Sequence, residues 1–133
     1  MGMRVKSGSC FGILLIIVFI LTSSLAFSSP RSTVRLLYKA IETGDLDKAK
    51  LLLVGTDVNC QNSLGYTPLY KAVFYNRLNF VDYLIELGAN VNLGDGEGLS
   101  PLHIAAIDNL PGMIKALKDK GADIEAKDKY GYT

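Results

Sequence analysis

Residues that could build a catalytic or metal centre are scarce in this sequence. It has one histidine, His103, and two cysteines, Cys10 and Cys60, and it has no tryptophan. A structural zinc site takes about four nitrogen or sulfur ligands, so the sequence predicts no metal site. Two cysteines do not form a disulfide framework, and we therefore expect the fold to be stabilised by packing alone.

An excess of charge of either sign is also missing. The chain has 14 lysines and arginines against 13 aspartates and glutamates, which gives a formal net charge of +1. Proteins that bind the phosphates of nucleic acids carry clustered basic residues, so we expect no nucleic-acid partner. The glycine-rich segment 94–98 lacks the lysine of a phosphate-binding loop. Since no nucleophile is paired with a base either, we predict that the protein is not an enzyme and binds no cofactor or small-molecule substrate.

Residues 1–26 have the pattern of an export signal. Two basic residues, Arg4 and Lys6, precede the uncharged apolar run Phe11–Leu21, and a small-x-small sequence ends at Ala26. A positive start, an apolar middle and a small-residue end are the three parts of a secretory signal peptide. The pattern therefore predicts a signal peptide that is cleaved directly after Ala26.

An uncleaved membrane anchor is the alternative interpretation. The apolar stretch Cys10–Phe27 has 18 residues, which is near the lower limit for a helix that crosses a bilayer. Because basic residues before an apolar segment stay on the cytoplasmic side, both interpretations place the rest of the chain outside the cytoplasm. We expect an exported protein (periplasmic or secreted), or one anchored in the membrane, whose N-terminal segment engages the membrane or the export machinery. Residues 27–33 are mostly polar and are predicted to be a linker.

The sequence that follows is dominated by a repeat. Gly88-Ala89 recurs 33 residues later as Gly121-Ala122, and Thr67-Pro68-Leu69 recurs at the same interval as Ser100-Pro101-Leu102. A hydroxyl residue followed by proline predicts the capped start of a helix, and the glycines are typical of helix ends. The apolar residues after each proline have the spacing of one helix face. The pattern therefore predicts a series of similar helical units.

These units resemble the ankyrin repeat, whose signature is T-P-L-H-x-A. The signature stands here as Thr67–Ala72, with Tyr70 in place of histidine, and as Ser100–Ala105, which keeps His103. The resemblance implies an all-α fold, an ankyrin-repeat solenoid of stacked helix-turn-helix units with β-hairpin-like loops.

The period also predicts where the units begin and end. A degenerate capping repeat covers residues 34–60, full repeats cover residues 61–93 and 94–126, and residues 127–133 begin a further repeat. A solenoid normally ends in a repeat with a polar outer face. Since none is present, we expect the sequence to be a truncated piece of a longer chain.

The resemblance implies a concave surface that binds a partner protein through the loop tips and the first helix of each unit. The contact positions that it implies are Ser63, Leu64, Tyr66, Phe74, Tyr75, Glu97, Leu99, Ile107, Asp108, Lys129, Tyr130 and Tyr132. Five of them are tyrosine or phenylalanine, which are favoured at interfaces because they bury a large area with few rotatable bonds. We expect a protein-binding module or scaffold. The alternatives are the recognition module of a longer enzyme or effector that is truncated after residue 133, or a regulatory inhibitor.

Overall fold

The computed structural model describes residues 30–133, and every regular element in this part of the chain is a helix. The helices form three successive pairs, and their bounds are Pro30–Thr43 (α1), Leu46–Leu53 (α2), Pro68–Phe74 (α3), Leu78–Glu86 (α4), Pro101–Ile107 (α5) and Pro111–Asp119 (α6). The predicted all-α repeat fold is confirmed.

Residues Thr33–Thr133 form one compact unit. The predicted signal peptide or anchor, residues 1–26, lies outside the described residues. Within residues 30–133, none of the helices has both the length and the apolar character needed to cross a membrane.

Helix α1 extends into residues 27–33, which the sequence predicts to be a linker. Helix α1 already begins at Pro30, so residues 30–33 belong to a helix although they are polar. Proline suits the first turn of a helix, because its φ angle is already helical and its missing N–H would have had no partner there. The polar composition of the segment therefore does not distinguish a linker from the first turn of a helix.

Helices α3 and α5 begin at the two hydroxyl residues that the sequence pattern indicates. The Thr67 hydroxyl accepts a hydrogen bond of 3.0 Å from the backbone N–H of Tyr70. The Ser100 hydroxyl accepts one of 3.4 Å from the N–H of His103, and the backbone N–H of Ser100 donates to Nδ1 of the same histidine at 3.1 Å. A side-chain cap of this kind stabilises a helix by about 1 kcal/mol. The predicted helix starts are confirmed.

The second helix of each later pair ends before a glycine in the left-handed conformation. Gly88 follows α4 with a φ of 94°, and Gly121 follows α6 with a φ of 89°. Asn76 and Asn109 have positive φ angles of 54° and 52° at the turns inside the pairs, where asparagine is tolerated better than most residues. These turns let each pair fold back on itself and repeat the same geometry.

The core is a row of side chains that runs through all three pairs. On α3, Leu69, Ala72 and Val73 are buried, as their spacing predicts. Phe80 of α4 and Leu117 of α6 are buried in the same core. Helix α3 packs against both α4 and α5, and the small side chain of Ala72 lets the backbones approach closely.

The predicted hairpin-like loops are short turns, and we call them fingers A (residues 62–66), B (residues 95–99) and C (residues 128–132). Each is closed by a backbone hydrogen bond from the N–H of its first residue to the carbonyl of its fifth, of 3.1 Å, 3.1 Å and 2.9 Å respectively, and by a second bond from the N–H of its fourth residue to the carbonyl of its first. The side chains of Asn62, Asp95 and Asp128 accept further bonds from backbone N–H groups inside their own fingers. Neighbouring fingers are joined by bonds from Gly96 N to Leu64 O (3.2 Å) and from Lys129 N to Glu97 O (2.9 Å). The fingers therefore form a continuous bonded row.

Candidate protein-binding surface

The predicted contact residues lie on the three fingers and on the last turns of α3 and α5. Most of them are exposed, and these are Ser63, Leu64, Phe74, Glu97, Ile107, Asp108, Lys129, Tyr130 and Tyr132. Several are large and apolar: Ile107 is 68% exposed and Tyr132 is 71% exposed. Because the free energy falls when a partner covers apolar side chains that are exposed to water, these positions are suited to binding a protein.

The other predicted contact residues, Tyr66, Tyr75 and Leu99, are half-buried and pack against the core. The rings of Tyr66 and Tyr70 are stacked with their centroids 4.5 Å apart. The structure thus assigns these three residues a packing role, since each lies where a finger or a helix end meets the neighbouring element. Only their outer edges are available to a partner.

Lys71 contributes to the same surface, and the sequence analysis did not include it. Its ammonium nitrogen lies 4.8 Å from the ring centroid of Tyr66, 5.5 Å from that of Phe74 and 5.6 Å from that of Tyr75. Cation–π contacts of this length stabilise by about 0.5–1 kcal/mol each at exposed sites. The signal in the sequence was a charged residue at the x position of the first signature, directly before the buried Ala72.

A polar cluster joins fingers B and C at the other end of the surface. Lys129 forms an ion pair with Glu97, and the Tyr130 hydroxyl donates to a Glu97 carboxylate oxygen at 3.3 Å. The hydrogen bond from Lys129 lowers the pKa of Glu97. Since both groups are exposed, the pair adds little to stability, but it holds three predicted contact residues together.

Two tyrosine hydroxyls beneath the fingers have raised pKa values. Burial is the main cause of the raised pKa of Tyr70, and the charge of Asp95 adds to it. Burial also raises the pKa of Tyr38, whose hydroxyl donates to the Tyr66 carbonyl at 2.5 Å and to the Cys60 carbonyl at 3.2 Å. Both hydroxyls therefore remain protonated at neutral pH, and that of Tyr38 ties finger A to the first helix pair.

The contacts of His103 and the burial of Cys60 indicate roles in the fold. Besides its role at the start of α5, the His103 ring contacts the Tyr132 carbonyl through Nε2 at 3.2 Å, which joins α5 to finger C. Cys60 is half-buried, and burial raises the pKa of its thiol, which disfavours the reactive thiolate. In residues 30–133, no group of three or more metal-ligating side chains is suited to hold a metal ion.

An apolar groove of about 470 Å³ borders the surface beside α5 and α6, and Leu102, Ala106 and Ile114 line it. One period earlier, Leu69 and Val73 occupy the positions of Leu102 and Ala106, and they are buried where α3 packs against α5. The groove is therefore the equivalent of an internal stacking face, and its lining also includes Leu99 of finger B and Tyr132 of finger C.

Comparison with known families agrees with this geometry. The family model described as "Ankyrin repeats (3 copies)" matches residues 37–128, which is well over half of the chain. None of the curated proteins compared with the chain matches it. Ankyrin repeats generally mediate protein–protein interaction, and proteins built from them are typically non-catalytic. On the repeat period, the helix pairs and this match, the chain belongs to the ankyrin repeat family.

Proposed function

We propose that this chain is an exported or membrane-tethered interaction module that binds a partner protein through its concave surface. We define the concave surface as the three fingers together with the last turns of α3 and α5. Nucleic acid has no place in the proposal because the formal net charge is only +1. Cofactors and small-molecule substrates have none because residues that could build a catalytic or metal centre are scarce in the sequence.

One observation carries the proposal: exposed apolar side chains recur at equivalent positions of different repeats. Phe74 and Ile107 occupy the same position of α3 and α5, and both are exposed. Tyr130 is exposed on finger C at the position that Leu64 occupies on finger A, and Glu97 stands at this position on finger B. These exposed side chains contribute little to the core of the repeats, so the fold does not require apolar residues there. A partner protein that lay along the repeats would cover all of them.

The proposal is tested by removing the two aligned helix residues together. We expect the double variant Phe74→Ala/Ile107→Ala to lose proteins that the unchanged chain captures from its native compartment, because the centre of an interface holds its largest contributions to affinity. The captured proteins are identified and quantified by mass spectrometry.

Leu87→Ala is the matched control, because Leu87 is 45% exposed but lies at the end of α4, which is not part of the concave surface as defined. The control should capture the same proteins as the unchanged chain. Equal capture by the double variant and by the control would contradict a concave binding surface.

Export or membrane tethering is the second part of the proposal, and it is supported by the pattern of residues 1–26. Basic side chains before an apolar run direct the following chain across the membrane. We propose that the repeats act in the periplasm or outside the cell, or next to the membrane if the segment is retained.

N-terminal sequencing of the protein from its native source tests the cleavage. We expect the mature chain to begin at Phe27, directly after the small-x-small sequence. A chain that begins at Met1 or Gly2 and fractionates with membranes would support the anchor, whereas the same start in a soluble cytoplasmic fraction would contradict export.

A further inference from the structure

Lys71 stands at a position where the other two repeats have no charge. One period later the position is Ile104, which is 6% exposed. One period earlier it is Tyr38, whose hydroxyl is satisfied by two backbone carbonyls. A lysine at a half-buried apolar position costs free energy unless its ammonium group finds a partner, so its presence there calls for a reason.

Among the described residues, the ammonium group of Lys71 has aromatic neighbours but forms no ion pair with a carboxylate. It lies over the rings of Tyr66, Phe74 and Tyr75. Within residues 30–133, the ion pairs are Lys39–Glu42, Lys120–Asp82 and Lys129–Glu97, and Lys71 takes part in none of them.

Asp95 and Asp108 also lie on this surface, and neither forms an ion pair with Lys71 among the described residues. Asp95 and Asp108 both raise the pKa of the Tyr70 hydroxyl, although burial is the larger cause. Asp95 also accepts hydrogen bonds from the backbone of finger B, so its carboxylate is already engaged. Lys129, the cation of finger C, is paired with Glu97. On the concave surface, Lys71 is thus a cation without an ion-pair partner among the described residues.

We propose that Lys71 anchors an acidic side chain of the partner protein, and that an apolar residue beside that acid packs on Phe74. The inference rests on the proposed function of the concave surface and adds the chemistry of the partner. A carboxylate that approaches the ammonium group from the open side completes a charge-assisted hydrogen bond in a setting from which the three rings exclude part of the water. Phe74 is half-exposed beside it and offers the apolar contact.

The test uses the full chain, held on a surface by a C-terminal tag, and a random library of short peptides displayed on phage. We expect the selected peptides to be enriched in Asp or Glu next to an apolar residue. Lys71→Ile should remove this enrichment and weaken binding of a selected acidic peptide about tenfold, which is the size of a lost hydrogen bond to a charged group. Lys71→Arg, which keeps the charge, should retain both.

Two variants make the result specific. Isoleucine is the residue that the next repeat uses at this position, so Lys71→Ile is compatible with the fold, and circular dichroism should show unchanged helicity. Lys50 also lies over a ring, that of Tyr83, at 5.3 Å. It lies on α2, which is not part of the concave surface, so Lys50→Ile should select the same peptides as the unchanged chain.

The outcomes separate this inference from the proposed function. Two outcomes would overturn the role of Lys71 and leave the proposed concave surface intact. In the first, the peptides no longer bind Phe74→Ala but are not enriched in Asp or Glu. In the second, the peptides bind Lys71→Ile as well as they bind the unchanged chain. A library that yields no binder, or only binders indifferent to Phe74→Ala, would contradict both.

Discussion

Replacing Phe80 by alanine should lower the free energy of unfolding by about 3–5 kcal/mol. The Phe80 ring is 1% exposed at the start of α4, in the part of the core that links the middle pair to its neighbours. Its removal takes away buried apolar area and leaves a cavity that the surrounding helices fill only in part. Urea unfolding followed by far-ultraviolet circular dichroism measures the change.

Phe74 provides the matched control, because it is the same residue type in the same repeat but is 49% exposed. Phe74→Ala should cost about 1 kcal/mol or less, as surface substitutions usually do. If the two variants lost similar stability, the division between the core and the concave surface described above would be incorrect.

The second large effect is expected for Gly65→Ala in finger A, which should lose about 2–4 kcal/mol. Gly65 has a φ of +79°, and a Cβ atom placed on it would lie 2.5 Å from the backbone nitrogen of Gly96. That nitrogen donates to the Leu64 carbonyl, so the added methyl group would force apart the bond that joins fingers A and B. The unfolding free energy and the amide exchange rate of Gly96 both report the damage.

Gly55→Ala isolates the cost of the backbone angle alone. Gly55 has a φ of +75°, but no atom lies within 4 Å of a Cβ placed there. We expect it to lose only about 1 kcal/mol, the cost of a left-handed conformation for a residue with a side chain. An equal loss in both variants would mean that the contact between the fingers is not tight.

Most of the fold could be predicted because its signals are local. The starts of two helices are predicted by Thr67-Pro68 and Ser100-Pro101. The ends of two others are predicted by Gly88 and Gly121. Each signal depends on the orphan N–H groups of a helix start or on a positive φ angle, and neither needs knowledge of distant residues. The period of the sequence then places one pair after another.

The details that could not be predicted depend on contacts between repeats. Tyr66 and Tyr75 fit an exposed contact surface by position, yet their rings are half-buried because neighbouring elements cover one side. The role of Lys71 could not be predicted because it stands at a position of the signature for which the family pattern specifies no residue. The three rings around its ammonium group are seen only in the structure. The helical start at Pro30 was missed because polar residues at the outer end of a helix carry no apolar period.

The most direct test of the central claim is the affinity of a captured partner protein for the unchanged chain and for the double variant Phe74→Ala/Ile107→Ala, measured by isothermal titration calorimetry. The account predicts that the double variant binds at least about tenfold more weakly, while its unfolding free energy changes little and Leu87→Ala binds as well as the unchanged chain. Equal affinities of all three proteins would contradict binding through the concave surface.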